Sequence, residues 1–125
     1  MERTLRDVWD FDYKTADVCR AANKQKAHHG ARFAWWKKES EAAEKRLKDK
    51  GFEYREEQYS GRADVVIVGD PQLVKRVTDC KRMMEDHHEQ EELYGTWARA
   101  LAGKVEQEPD SQLVLKLDDV VFFGL

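Results

Sequence analysis

Proline is almost missing from this chain of 125 residues, which has two, and cysteine is equally rare. Two thiols, Cys19 and Cys80, cannot build a disulfide framework, and neither belongs to a CxxC or CxxH pair. They are read as reduced, buried side chains. No uncharged run approaches the ~20 residues that a membrane span requires, and the opening "MERTLRDVWD" lacks the apolar core of a secretory signal. The expectation is a cytoplasmic protein with no membrane partner. The GxSxG nucleophile elbow, the phosphate-cradling P-loop and the zinc-protease HExxH are absent as well. Enzymatic activity is therefore not expected.

Charge is plentiful. Charged residues make up 38% of the chain and apolar ones 41%, the balance expected of long helices with one buried stripe and a wide solvated face. The net charge of −3 argues against a dedicated nucleic-acid binder. Its distribution is uneven: residues 1–50 hold 13 Lys/Arg against 9 Asp/Glu, and residues 51–125 hold 9 against 16. Such asymmetry serves either a polyanion or two oppositely charged segments packed on each other, and the second needs no partner.

A single domain over residues 1–125 is expected, because the length suits one modest core. Residues 1–12 read as a docking segment with Leu5, Val8, Trp9 and Phe11. Residues 13–50 contain no proline, one glycine and many strong helix formers, which predicts a long helix stopping at Gly51. Along it Cys19, Ala22, His29, Phe33, Trp36, Ser40, Ala43 and Leu47 recur in steps of three and four, interrupted by Lys26, as in a heptad seam. The stretch 52–68 predicts a β-hairpin turning at Ser60-Gly61, with Tyr54 opposite Ile67 and Glu56 opposite Val65. Phe52, Tyr54, Val65 and Ile67 then share a face for burial. Asp70 and Pro71 have the order of an N-cap followed by the first helical residue. A second helix is predicted over 71–102, ending at Gly103. Its seam is Leu73, Val77, Cys80, Met84, His87, Glu91, Tyr94, Ala98 and Leu101. The tail, 112–124, reads as one or two strands that extend the hairpin's sheet and cover its apolar side. The fold class is α+β: two long antiparallel helices linked by a β-hairpin, with a C-terminal strand completing a small antiparallel sheet.

If the hairpin leaves and returns at one level, facing residues of the two helices have numbers that add up to about 120, since both rise ~1.5 Å per residue. Matching the seams to each other pairs Ala43 with Leu73, Trp36 with Cys80, His29 with His87 and Ala22 with Tyr94. The two registers differ by about one turn.

That register brings together histidines from the pairs His28-His29 and His87-His88, which are all the histidines of the chain. A metal reading uses His29, His87 and Glu91, with zinc, iron or manganese as suitable ions. Glu85 and His88 add the Glu-x-x-His spacing of di-iron bundles, although further carboxylates from a second chain would have to complete such a site. The plain reading is a polar layer that fixes the register of the seam. Facing imidazoles would also repel once protonated below about pH 6.5. A nucleic-acid reading uses Arg32, Trp35, Lys37 and Lys38, where an indole outside the seam stands among cations. Asp64 at the start of an apolar strand lacks the Glu-x-Lys partner of a nuclease core and is read as an ordinary hairpin residue.

The leading expectation is a non-catalytic interaction or assembly module, a small homo-oligomeric accessory protein whose contacts with itself or another protein run through Trp35, Val121, Phe122 and Phe123. The alternative is a single-stranded nucleic-acid or recombination accessory protein, and the third is a His/Glu metal-binding helical protein. No cofactor is required by the first two.

Overall fold

A computed structural model describes residues 10–59 and 61–125. The elements run β1 (Phe11–Lys14), α1 (Thr15–Lys50), β2 (Glu53–Tyr59), β3 (Arg62–Val68), α2 (Pro71–Gln107), β4 (Gln112–Leu115) and α3 (Leu117–Phe123). Two long antiparallel helices are joined by a β-hairpin, and each of the two sheets has two antiparallel strands, β1 with β4 and β2 with β3. Of the expected docking segment, residues 1–9 lie outside the described residues, and Phe11 and Asp12 open β1.

Local chemistry explains the element boundaries. Gly51, at φ 86°, follows the last residue of α1, and its N–H donates to Lys48 O at 3.2 Å. Asp70 caps α2: its Oδ1 accepts from the backbone N–H of Gln72 at 3.0 Å and of Leu73 at 3.2 Å, which satisfies two of the helix's orphan donors. Its Oδ2 accepts from Lys50 Nζ at 3.3 Å. The Leu73 N–H and then the Lys50 ammonium hold the Asp70 carboxyl below its ordinary 3.8. In the β2–β3 hairpin Tyr54 pairs with Ile67 and Glu56 with Val65, as the turn position predicts, and Gly61 supplies the positive φ of 82°.

Packing divides the described residues into two bodies, one made of residues 10–30 with 88–125 and the other of 31–87. In the first, Val18, Ala22, Ala98, Leu101, Leu115, Val120 and Phe123 form the core, with Phe11, Tyr13, Leu113 and Phe122 packed against it. The β1–β4 pair and α3 close this core over the helices. Thr15, fully buried, ties the start of α1 to the residue before β4: its N–H donates to Ser111 O at 3.0 Å, and the Ser111 hydroxyl donates to Thr15 Oγ1 at 2.8 Å. In the second body the core is Ala43, Leu47 and Val77, backed by Phe52, Ile67, Leu73 and Val74. There α1 and α2 are also joined by Arg76–Glu39 at 3.0 Å and Lys81–Glu44 at 2.7 Å.

Every residue named on the two seams is buried or half-buried, and Lys26, the interruption, is exposed. In the first body Glu91 lies against Gly30 and Lys26 against Gly95. These contacts follow the register set by the hairpin rather than the one obtained by matching seams.

Three expectations are corrected. The second helix does not stop at Gly103 but continues to Gln107, because one glycine costs only ~1 kcal/mol while the backbone ladder persists: Glu108 N–H still donates to Lys104 O at 2.8 Å. The tail is not strand throughout. β4 ends at Leu115, and Val120–Phe123, expected as strand, belong to α3. Asp119 accepts from the Lys116 N–H at 3.2 Å at the start of α3, and Gly124 takes the left-handed conformation at its end, φ 70°. Finally, β4 pairs with β1 and not with the hairpin. Among the described residues the hairpin's sheet gains no third strand, and Tyr54 and Val65 on its apolar face stay exposed.

Candidate functional site

That uncovered face is the first candidate. Phe52 and Ile67, at the base of the hairpin, are half-buried against the second core, whereas Tyr54 is 68% exposed and Val65 70%. Alternation puts all four on one side of the sheet, so a continuous apolar strip runs from a covered base to a bare end. Phe52 and Tyr54 meet edge to face at 5.2 Å, which orients the tyrosine ring along the strip. Periodicity places these residues on a common face but carries no information about what covers it.

The tryptophan region lies on α1 in the same body. Arg32, Trp35, Lys37 and Lys38 are all exposed, Trp35 at 46%. The Arg32 guanidinium lies 5.3 Å from the Trp35 ring centroid. Trp36 meets Trp35 edge to face at 4.7 Å, and the Arg76 guanidinium lies 5.7 Å from the Trp36 ring centroid. The Trp36 indole N–H is buried without a hydrogen-bond partner. Seam geometry alone separates the two indoles, one turned inward and its neighbour outward.

The histidines lie on a half-polar part of the seam. His28 is exposed, and His29, half-buried, stacks on Tyr94 at 5.6 Å with the rings 8° apart. Tyr94 in turn stacks on Phe122 at 4.5 Å, and its hydroxyl donates to Phe122 O at 2.5 Å. This bond satisfies a carbonyl in the last turn of α3, one of the groups a helix end leaves unpaired. Burial holds the Tyr94 hydroxyl above its ordinary 10.0. His87 is half-buried, and His88 Nε2 lies 3.2 Å from Glu92 Oε1 on its own helix. Glu91 directs its carboxylate to the space above Gly30: a β-carbon placed there would come within 3.2 Å of Glu91 Oε1. Beside it opens a hollow of about 480 Å³ lined by both signs of charge, including Lys26, Glu91, Glu92 and Arg99. Among the described residues no three His, Cys, Asp or Glu side chains are grouped as metal ligands would be.

The remaining expected contact residues divide. Val121 is 70% exposed, Phe122 is half-buried on Tyr94, and Phe123 is 5% exposed and forms part of the first core. Sequence reasoning passed over Leu93 and Trp97, exposed at 43% and 46% on α2, with Trp97 edge-on to Phe123 at 5.9 Å. Their four-residue spacing off the seam was the available signal. The chain matches no protein-family model, no curated protein and no solved structure.

Proposed function

We propose that the protein is a non-catalytic assembly module that associates with copies of itself, a small accessory protein of the cytoplasm. The observation that supports this reading is the bare end of the hairpin, where Tyr54 and Val65 are exposed on the apolar side of a sheet that has two strands among the described residues. An isolated two-stranded hairpin is marginal in water, and open strand edges beside an apolar face favour pairing with another chain. Covering that strip with a second copy removes apolar surface from water and gives the unpaired edges a partner.

Among the described residues no helix is long and apolar enough to cross a membrane. Light scattering over a concentration series tests the proposal. The wild-type protein is expected to exceed the 14.7 kDa of one chain, and Tyr54→Ser with Val65→Thr to shift it toward the monomer with unchanged helical circular dichroism. A wild-type monomer at every concentration would overturn self-association. An oligomer indifferent to the double substitution would place the contact elsewhere and remove the hairpin from it.

A further inference from the structure

We infer that the outer face of α1 between residues 32 and 48 binds single-stranded nucleic acid, a function separate from the self-association proposed above and independent of it. Arg32, Lys37, Lys38, Lys45, Arg46 and Lys48 are exposed, and among the described residues none of them forms an ion pair. The carboxylates that would neutralise them are partly engaged elsewhere. Glu39 and Glu44 point across to Arg76 and Lys81 of α2, leaving Glu41 and Asp49 as the exposed acids of this stretch. Interhelix pairing thus takes up two of the four acids between residues 32 and 49, and the six cations outnumber Glu41 and Asp49, which gives the stretch a positive field complementary to phosphate.

Trp35 selects among polyanions. It follows the seam residue Phe33 by two positions and precedes Trp36 by one, so helical geometry turns it away from the partner helix. Lys38 and Lys45 continue the same stripe in steps of three and seven, the second about 15 Å from Trp35 along the axis. Arg32 and the edge of Trp36 fix the indole in place, at 5.3 and 4.7 Å. An acidic protein would use the cations and has no need of a presented indole. A duplex keeps its bases inside and offers phosphates alone, whereas an unpaired base gains stacking energy on an aromatic ring set among cations.

Fluorescence anisotropy with labelled oligodeoxythymidine and oligouridine of equal length, across a salt series, tests the inference. Binding to both strands at low salt is expected, and unlabelled duplex should compete poorly. Trp35→Ala should weaken binding about tenfold, in the range of one stacked base. Lys38→Gln with Lys45→Gln should lower the slope of log affinity against log salt by about 1.4, two phosphate contacts' worth. Both variants replace exposed residues with good helix formers, and circular dichroism checks that they fold. Absence of binding at low salt overturns the inference. So does equal competition by duplex and heparin with no effect of Trp35→Ala, which would leave a bare polyanion face. If the lysine variant instead dissolves a salt-sensitive oligomer and no oligonucleotide binds, the face belongs to the acidic stretch 85–92 of a second copy.

Discussion

The two bodies are built on the same pair of seams and are stabilised differently. In the body of residues 10–30 and 88–125, the two long helices are roofed by a strand pair and by α3, and the core includes Phe123, Val120 and Leu115 from outside the long helices. In the body of 31–87 the roof is a hairpin that covers only its own base, and the core is Ala43, Leu47 and Val77. Ion pairs and cation–π contacts take up the space between side chains there: Arg76 serves both Glu39 and the Trp36 ring. A heptad seam therefore specifies that two helices meet, while the elements at their ends decide how much apolar surface leaves the water.

The largest expected effect tests that difference directly. Phe123→Ala removes a ring that is 5% exposed and packed on the first core, and should cost about 3–5 kcal/mol in urea unfolding. Leu47→Ala, from a residue 2% exposed in the smaller core, should fall toward the lower part of the 2–5 kcal/mol range for such truncations, because the hairpin can settle into the space. If the leucine costs as much as the phenylalanine, the second body is as tightly roofed as the first and the contrast fails.

Tyr94 sharpens the contrast from within the first body, since its hydroxyl holds the last turn of α3 through Phe122 O. Tyr94→Phe keeps the stack and deletes the bond, at an expected cost of about 1 kcal/mol. The pH response has a definite sign. The folded hydroxyl ionises above 10.0 and the unfolded one near it, so this residue's contribution is intact below pH 10 and is lost as pH rises through the folded value. Denaturation midpoints measured from pH 8 to 11 should therefore fall less steeply for the variant. Equal alkaline slopes would show that Tyr94 is solvated in the folded state.

What could be read in advance follows the range of the interactions involved. The seams and the hairpin register were legible because periods of 3.6 and 2 are local and repeat over many residues. Trp35 was legible for the same reason, as the position next to an inward Trp36. The tail was not. "VVFFGL" is rich in residues favoured in strands, and a run this short is assigned by context: Asp118 and Asp119 at its start, Gly124 at its end and Tyr94 beside it. The bare ends of Tyr54 and Val65 escaped for the complementary reason, since burial depends on β4 choosing β1 as its partner, a choice made across about a hundred residues of chain.

The smallest expected effects concern how closely the helices approach within the first body. Gly30 and Gly95 each receive a long side chain from the opposite helix, Glu91 over Gly30 and Lys26 over Gly95. Alanine at either position gains about 1 kcal/mol of helix propensity. At Gly95 the new methyl would meet Lys26 Cε at 3.5 Å, an ordinary contact, so Gly95→Ala should realise that gain in full. At Gly30 it would meet Glu91 Oε1 at 3.2 Å and Cδ at 3.3 Å, tighter than side chains normally pack, and the carboxylate must retreat. Gly30→Ala should therefore stabilise less than Gly95→Ala, and should recover the difference in a Glu91→Ala background. A double-mutant cycle at these positions reads the coupling. If Gly30→Ala gains as much with Glu91 present as without it, Glu91 does not press on α1 at this level, and the absence of a β-carbon at residue 30 plays no part in how the helices approach.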